Sequence, residues 1–471
     1  MQPPLEPPGY DTNAGLILDT EIMAYLLNSG RHKPEYSLSH LVHEYLSEEY
    51  PVWHKALADN PYPDSTRAIL AYDAHLIYDL AYELLELMDR AGADLKFMYF
   101  YVEVPLIRIL LEMSHIGIGV DGEAAAAVYS DTQNQRNNLE KSITGGRAID
   151  LWKDDQVYEL LHEREIPVYF PDKKATQNDL KNLALKYPLA AQILEWRDFA
   201  TDLGFLKSAQ WAERVYPEWN IVSKTGRIHA SNPAVQNVNK ETCRPLMVPA
   251  EGCVLLKADY KQMQMRLLAN FSGDPELVEA FQEGKDVHWL TAEMCGIRGA
   301  TDKEKRDRAK EVNFGILFQM TPWGLAKKLG TDISTAARYV KAFWSRYSGA
   351  KEYLDKIIQD LKDENNPKKR FIESLSGRRR FFDEEFGPKQ QREARATILQ
   401  QAEADVLTLA VVSLYGRFRK RDMKSRIVLI LHDCIWVEAP MEEVGEAKRL
   451  LGKSMTEAVD YPFLPLEVEF Q

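Results

Sequence analysis

Two apolar runs with the character of β-strands lie far apart in this chain of 471 residues, with mainly helical sequence between them. The first run is Cys253-Val-Leu-Leu and the second is Ile427-Val-Leu-Ile-Leu. Strands that are remote along the chain and enclose a helical insertion predict an α+β core with a helical subdomain built into it. Most of the sequence before residue 211 also has helical spacing of its apolar residues, as in residues 69–88.

Each apolar run is followed by an aspartate, Asp259 after the first and Asp433 after the second. An acidic residue at the end of an apolar strand is accessible while its backbone stays rigid. Two such carboxylates on adjacent strands would suit a pair of Mg²⁺ ions, which prefer oxygen ligands. A pair of metal ions can activate an attacking oxygen and stabilise the leaving oxygen. The alternative for each residue is structural, with Asp259 as a helix cap and Asp433 as a hairpin-turn residue.

A third feature is a stripe of residues that recur every four positions, Arg306, Lys310, Phe314 and Phe318. On a helix these residues lie on one slowly winding face. Two cations followed by two aromatic rings could hold a triphosphate at one end and stack on a base at the other. Cations alone would favour a solvated face and phenylalanines alone a buried one, but one face cannot be fully both. The neighbouring apolar residues Val312, Ile316 and Leu317 are expected to face the protein.

Composition narrows the class of protein without assigning a function. The net charge is −12, from 59 basic and 71 acidic residues, which argues against non-specific polyanion binding but permits a local basic cleft. The four cysteines show no CxxC spacing, so a disulfide scaffold or a structural zinc site is not expected. The sequence contains no apolar run long enough to span a bilayer and no secretory signal pattern, so we expect no membrane association and a cytoplasmic location.

The same segments resemble the ordered motifs of family A DNA polymerases, the group of bacterial DNA polymerase I. Residues 257–274 resemble motif A, residues 306–315 motif B and residues 431–433 motif C. Residues 225–237 resemble the template-primer segment of the family. Three further segments follow in the expected order, namely 284–288, 377–379 and 400–401.

The resemblance implies a right-hand polymerase, with an antiparallel palm sheet, helical fingers and thumb, and a mostly helical remnant of an exonuclease-like domain. The expected boundaries are 1–95 for the remnant, 96–215 for the thumb, 216–266 and 391–471 for the palm, and 267–390 for the fingers. The implied activity is template-directed extension of a primer by deoxynucleoside triphosphates. Two rivals are a single-subunit RNA polymerase-like enzyme and an inactive DNA-binding protein.

The resemblance also assigns roles at the expected nucleotide site. Asp259, Asp433 and the backbone carbonyl of Tyr260 would bind two Mg²⁺ ions, with Mn²⁺ as an alternative. Lys310 would contact the triphosphate and protonate the departing pyrophosphate. The remaining nucleotide contacts would come from Arg306, His288, Phe314, Phe318, Gln262 and Gln264.

A second set of residues would contact primer-template DNA through its backbone or minor groove, where binding follows the phosphates neutralised locally. This set is Arg227, Gln236, Asn237, Arg266, Arg392, Gln400 and His432. The basic runs 368–370 and 378–380 could add phosphate contacts, although a solvated face is the simpler interpretation of the first run.

Several positions depart from the family pattern. Gln264 stands where the family usually has Glu and Phe318 where it usually has the Tyr that bonds that Glu, two changes that go together physically because Phe has no hydroxyl. The resemblance implies that this Glu excludes a ribose 2′-hydroxyl through its stem, and Gln has nearly the same shape, so we expect ribonucleotides to remain disfavoured. Cys434 replaces a common Glu, which predicts weaker metal binding. Nothing in the sequence explains Gln319 in place of glycine.

The N-terminal region resembles the second half of a proofreading exonuclease domain. Asp73 falls at the position of its last metal-binding Asp, but Ile69 takes the place of the catalytic Tyr, and the other acidic motifs would lie before residue 1. We therefore expect no proofreading by this chain, with a separate exonuclease or processivity factor left open as a partner. The same features suggest a phage or another mobile element as the source.

Overall fold

The computed structural model describes most of the chain, namely residues 18–30, 33–48, 63–167, 173–184, 186–363, 370–382 and 386–471. These residues form two compact units. The first unit comprises the chain up to residue 111 together with 221–228 and 256–471, and the second comprises 112–220 and 229–255.

The N-terminal part of the first unit is helical. It contains α1 (Thr20–Leu27), α2 (Leu38–Leu41), α3 (Pro63–Ala91), α4 (Ala93–Met98) and the start of α5 (Val104–Ile116), with π-helical turns at Val42–Leu46 and Tyr99–Glu103. Helix α1 begins where the Asp19 carboxylate accepts a hydrogen bond of 3.1 Å from the N–H of Ile22, which satisfies one of the free donors at a helix start. Helix α5 stops before Gly117, whose φ of 70° lies in the left-handed region that ends a helix.

The second unit is built on helices that enclose their own core. It contains α6 (Gly122–Thr144), α7 (Asp154–Glu163), α8 (Gln177–Leu183) and α9 (Pro188–Ala209), with the short strands β1 (Ile118–Gly119), β2 (Arg214–Val215), β3 (Glu218–Asn220) and β4 (His229–Ser231). The strands pair antiparallel, β1 with β2 and β3 with β4. Apolar residues of the four helices, such as Ile143, Leu160 and Ile193, are fully buried together.

A four-stranded sheet organises the rest of the first unit. Its strands are β5 (Cys253–Tyr260), β8 (Arg426–Leu431), β9 (Cys434–Pro440) and β10 (Val468–Phe470), in the spatial order β10-β5-β9-β8. The runs predicted as strands are therefore confirmed, and the α+β class with them. In β8 the residues from Ile427 onwards are all buried, which explains why the strand reads as a continuous apolar run instead of an alternating one.

Helices fill the long interval between β5 and β8. They are α10 (Met263–Ser272), α11 (Pro275–Gln282), α12 (Val287–Cys295), α13 (Asp302–Leu317), α14 (Pro322–Leu329), α15 (Ile333–Arg346), α16 (Ser348–Lys362) and α17 (Pro388–Lys420), and α18 (Val444–Thr456) follows β9. A hairpin of β6 (Phe371–Glu373) and β7 (Arg379–Phe381) precedes α17. None of the helices in the described ranges combines the length and apolarity that a bilayer span requires.

Candidate active site

The sheet brings Asp259 and Asp433 together. Asp259 is the next-to-last residue of β5, and Asp433 lies in the two-residue turn between β8 and β9, beside Leu431 and Cys434, which pair across the hairpin. The neighbouring strands are joined by a hydrogen bond of 3.3 Å from the N–H of Tyr260 to the carbonyl oxygen of Asp433. The two side-chain carboxyl groups lie close enough to interact directly, and two carboxyl groups in contact can share one proton.

Burial and crowding of like charge control the protonation of this pair. Burial raises the pKa of Asp433 to about 8, and the charges of Asp259 and Glu403 add to that rise. Burial also raises the pKa of Asp259, while its hydrogen bond with Asp433 and the charge of Lys310 act against the rise. Repulsion between two negative carboxylates favours keeping a proton on one of them. A cation between them would neutralise that repulsion and allow both to ionise.

The donor set fits a hard divalent cation. The Asp259 Oδ1 atom is buried and has no hydrogen-bond partner among the described residues, so an oxygen ligand is in place with its bonding capacity unused. Within the described residues, this site included, no three or more His, Cys, Asp or Glu side chains are grouped so as to hold a metal ion, so the protein offers two carboxylates here and not three. Cys434 adds no charge, because burial raises the pKa of its thiol to about 12. The Tyr260 hydroxyl donates to the carbonyl oxygen of Met455 at 2.9 Å, so Tyr260 could offer a metal only its backbone.

Helix α13 presents the predicted stripe next to these acids. Lys310 is exposed, and its charge reaches Asp259. Its Nζ lies 5.7 Å from the ring centroid of Phe314, and the rings of Phe314 and Phe318 stack with centroids 6.2 Å apart. The opposite face is buried, as predicted for Val312, Ile316 and Leu317. One detail differs, because α13 ends at Leu317 and Phe318 is its C-terminal cap.

The turn after Phe318 supplies a physical reason for the glycine usually found at position 319. Gln319 has a φ of 57°, the left-handed region that a glycine enters without strain. Its Nε2 donates to the carbonyl oxygen of Ile316 at 3.2 Å, which satisfies one of the free acceptors at the end of α13. Gln319 therefore closes the helix at a cost in backbone strain that a glycine would not carry.

Two of the predicted phosphate contacts have partners inside the protein. The Nε of Arg306 donates to the Asp286 carboxylate at 2.6 Å, and Asp286 in turn caps α12. His288 is buried, its Nδ1 lies 2.8 Å from the Nδ2 of Asn313, and burial lowers its pKa to about 4. His288 is therefore neutral near pH 7 and could contact a phosphate only as a hydrogen-bond donor. The sequence interpretation missed Asn313, although a polar residue on the apolar side of α13 was a signal for it.

A second residue that the sequence interpretation missed is Glu403 on α17. Only 4% of Glu403 is exposed, and its Oε2 atom accepts hydrogen bonds from both Gln264 and Arg227. The distances are 3.0 Å from the Gln264 Nε2 and 2.5 Å from the Arg227 Nη2. The sequence signal was a pair of acids, Glu403 and Asp405, in an otherwise apolar stretch of helix.

Arg266 does not fit its expected role in DNA contact. Only 6% of this residue is exposed, and its guanidinium bonds to the Glu467 carboxylate at 2.7 Å and to the carbonyl oxygens of Lys261 and Pro465, each at 3.2 Å. It also lies over the ring of Phe281. A guanidinium held by this many internal partners has no free donor fork for a phosphate, so we do not carry Arg266 forward as a DNA contact.

The basic run 378–380 is likewise used within the protein. Arg378 is 1% exposed and forms ion pairs with Glu103 and Asp405. Arg380 is 7% exposed and bonds to Thr397 and Glu393, and Arg379 bonds to Glu373 and to the carbonyl oxygen of Ala91. The expectation of phosphate contacts from this run was wrong, because sequence does not reveal which arginines have buried acids to pair with. Lys368 and Lys369 of the other run lie outside the described residues.

The remaining expected DNA contacts fall into both units. Gln236 and Asn237 belong to the second unit, where the buried Gln236 accepts a hydrogen bond of 2.9 Å from the N–H of Ala230 and Asn237 is exposed. Arg392 and Gln400 are half-buried on α17 in the first unit, and His432 is exposed in the turn beside Asp433. Gln262 is half-buried, with a φ of 48°, at the start of α10.

Comparisons with known proteins agree with this arrangement of motifs. The family model described as DNA polymerase family A matches residues 123–471. DNA polymerase I of Lactococcus lactis subsp. lactis (strain IL1403) is 30% identical over 394 residues, which cover 78% of this chain and 44% of that protein. The thermostable DNA polymerase I of Thermus filiformis is 30% identical over 416 residues, covering 81% and 48%. The chain thus spans about half the length of the curated relatives it matches.

One solved structure is similar over nearly the whole chain. It is the POL domain of Pol1 from M. smegmatis in complex with DNA primer-template and dNTP, with a TM-score of 0.78 and 26% sequence identity. The similarity covers 96% of this chain and 80% of that one.

Proposed function

This chain belongs to DNA polymerase family A, and we propose that it extends the 3′-hydroxyl of a primer on a DNA template with deoxynucleoside triphosphates. The observation that carries the proposal is the contact between the carboxyl groups of Asp259 and Asp433 beside the cationic and aromatic face of α13. A binding module has no use for paired acids that repel phosphate. A solved structure with primer-template and dNTP, similar over 96% of this chain, supports the same substrates.

Asp259, Asp433 and the carbonyl of Tyr260 would hold two Mg²⁺ ions, with Mn²⁺ as an alternative. Bound in this way, the ions would activate the attacking primer oxygen and neutralise charge on the leaving oxygen. The reaction needs little other chemistry from the protein, since phosphoryl transfer depends mainly on positioning and on charge neutralisation.

Helix α13 would position the nucleotide. Lys310, exposed and close to Asp259, would contact the triphosphate and give a proton to the departing pyrophosphate. Arg306 would exchange its hydrogen bond to Asp286 for a phosphate oxygen, and the neutral His288 would donate a hydrogen bond. The half-buried ring of Phe314 would pack against the sugar and base, with Phe318 stacked behind it and Gln262 and Gln264 below the sugar.

The remaining assignments follow the family resemblance. Primer-template DNA would contact Arg227, Gln236, Asn237, Arg392, Gln400 and His432. The palm would comprise 216–266 and 391–471, the fingers 267–390, the thumb 96–215, and residues 1–95 would form an inactive exonuclease-like remnant. Closure of the fingers over the nucleotide would exclude water and complete the site.

Primer extension by the purified chain tests this function. With a 5′-labelled primer on a longer DNA template, Mg²⁺ and all four deoxynucleotides, we expect extension to the end of the template. With one deoxynucleotide at a time, extension should stop at the first template base that does not pair with it. Chelation of Mg²⁺ should abolish the products.

Three results would contradict the proposal. Extension only with ribonucleotides would favour the RNA polymerase-like alternative. Binding of the duplex without any extension would favour the inactive DNA-binding protein. Addition of nucleotides without regard to the template would exclude template-directed synthesis.

A further inference from the structure

Glu403 lies at the centre of a chain of hydrogen bonds that joins two parts of the proposed active site. Its Oε2 accepts from the Gln264 amide at 3.0 Å and from the Arg227 guanidinium at 2.5 Å. Gln264 follows Asp259 on the same segment, and the charge of Glu403 reaches Asp433. Glu403 thus sits among the proposed nucleotide, DNA and metal contacts without belonging to any of them.

The carboxylate fixes which way the Gln264 amide faces. An ionised carboxylate can only accept hydrogen bonds, so the Nε2 of Gln264 must face Glu403 and its Oε1 must face away. Gln264 is 7% exposed, and its Oε1 has no hydrogen-bond partner within the part of the chain that the structure describes. Reversing the amide would place its oxygen against the Glu403 carboxylate, which is repulsive. One amide orientation is therefore strongly favoured.

Among the described residues, the bond to Glu403 is the one hydrogen bond that the Gln264 side chain makes, so that bond fixes the orientation of its amide. Phe318 offers no hydroxyl that could hold it. Without Glu403, the Gln264 side chain would be free to change rotamer, and the surface that it presents to the sugar of a bound nucleotide would change with it. The same substitution would release Arg227 from its ion pair.

We propose that Glu403 is a positioning residue for nucleotide selection, which holds Gln264 in the single orientation that excludes a ribose 2′-hydroxyl. The proposal rests on the polymerase function proposed above. Glu403 touches neither substrate nor metal in this account, and it acts through the Gln264 amide while it restrains Arg227.

The measurement is the ratio of kcat/KM for a deoxynucleotide to kcat/KM for the matching ribonucleotide, taken from single-nucleotide extension. This ratio is independent of the fraction of active enzyme, so partial unfolding of a variant does not change it. For Glu403→Ala we expect the ratio to fall by about tenfold or more, the equivalent of one lost hydrogen bond to a charged group. For Glu403→Gln, whose amide oxygen can still accept from both donors, we expect the ratio to stay within about twofold to threefold of wild type.

Exchange of the two side chains tests the direct contact. Gln264→Glu alone places two carboxylates against each other and should lower kcat/KM for the deoxynucleotide by about tenfold. The double variant Gln264→Glu/Glu403→Gln restores a donor–acceptor pair, since the new amide can donate to one carboxylate and accept from Arg227. We expect it to recover most of that loss. Glu457→Ala is the matched control, because it also removes an acid paired with an arginine, Arg417 of α17 at 3.2 Å, but not the acid to which Gln264 donates.

The outcomes separate this inference from the polymerase function. A wild-type chain that does not extend primers overturns the function itself. An active wild type whose Glu403→Ala variant keeps the wild-type ratio overturns the positioning role while the function stands. A double variant no better than Gln264→Glu alone also overturns it. An equal loss in Glu457→Ala would show that the effect is not specific to the contact with Gln264.

Discussion

The backbone N–H of Tyr260 donates a hydrogen bond of 3.3 Å to the carbonyl oxygen of Asp433. This bond joins the end of β5 to the turn between β8 and β9, and it places Asp259 and Asp433 side by side although helices α10 to α17 separate them in sequence. Carboxyl groups in contact repel each other unless a proton or a cation lies between them. The proposed polymerase activity depends on that pair and on helix α13 beside it.

The acid pair predicts how stability depends on pH when no metal is present. The pKa of Asp433 is raised to about 8 in the folded chain, so the folded state binds more protons than the unfolded state between about pH 4 and pH 8. The stability that the Asp433 proton contributes to the folded state is therefore present at low pH, and it is lost as the pH rises through the folded pKa. In EDTA, the free energy of unfolding of wild type should therefore fall between pH 5 and pH 8.

The Asp433→Asn variant tests the cause of that fall. Its amide can donate to Asp259 at every pH, so at pH 8 in EDTA we expect it to be more stable than wild type by about 2 kcal/mol. Addition of Mg²⁺ should stabilise wild type and narrow the difference. Asp460→Asn, at an exposed acid, is the control and should change little. Urea unfolding measures all three, and equal pH slopes in wild type and Asp433→Asn would contradict the prediction.

Lys310 should matter far more than another lysine of the same helix. Lys310→Ala removes a cation whose charge acts on Asp259, and we expect kcat/KM for the deoxynucleotide to fall by about 100-fold to 1000-fold, as for loss of a charge-stabilising group. Lys303→Ala, at an exposed position near the start of α13, should stay within about twofold of wild type. Steady-state single-nucleotide extension compares the two variants, and similar losses in both would argue against a specific role for Lys310.

Arg378 should be a principal determinant of stability. It is almost completely buried between Glu103 and Asp405 and lies over the ring of Tyr25 at 5.0 Å. Arg378→Ala leaves two buried acids without their partner, which typically costs about 3–5 kcal/mol. The control Arg449→Ala breaks an exposed pair with Glu446 and should cost less than about 1 kcal/mol. A urea midpoint for Arg378→Ala close to that of Arg449→Ala would refute this assignment.

The purified chain should not degrade single-stranded DNA. Ile69 stands where the exonuclease domain that this region resembles has a catalytic Tyr, and it has no hydroxyl. Asp73 belongs to no cluster of three or more metal-ligating side chains within the described residues. A two-metal hydrolytic site needs several carboxylates. Incubation of a labelled single strand with Mg²⁺ and no nucleotides tests this. Degradation that persists in Asp433→Ala, but not in a mock preparation, would reveal an exonuclease in this chain.

Much of the site could be predicted from the sequence because its main features arise from residues that are close together along the chain. The two strands, the acids that follow them and the amphipathic stripe of α13 depend on residues close in sequence, and periodicity reports these directly. The ends of the helices were predicted less well. Phe318, for example, lies one residue beyond the end of α13. Gln319 needed the backbone angle before the usual glycine made physical sense.

Long-range pairing of charges could not be predicted in this way. The sequence alone suggested three arginines as cations available to DNA, namely Arg266, Arg378 and Arg380. In the structure each is paired with an acid that is distant in sequence or on another element. Glu403 was missed for the same reason, since its importance comes from Gln264 and Arg227, both more than a hundred residues away. Whether a charged residue is buried or available to a ligand depends on its ion-pair partner, and the sequence does not show which residue that partner is.

The most direct test of the central claim separates catalysis from binding in one pair of assays. Asp259→Ala and Asp433→Ala are each compared with wild type for primer extension in Mg²⁺ and for equilibrium binding of the same primer-template duplex. The account predicts that each substitution lowers extension by at least about 1000-fold, while the dissociation constant for the duplex changes by less than about threefold. Extension that survives in either variant at a rate near wild type would contradict the assignment of these two acids as the metal-binding pair.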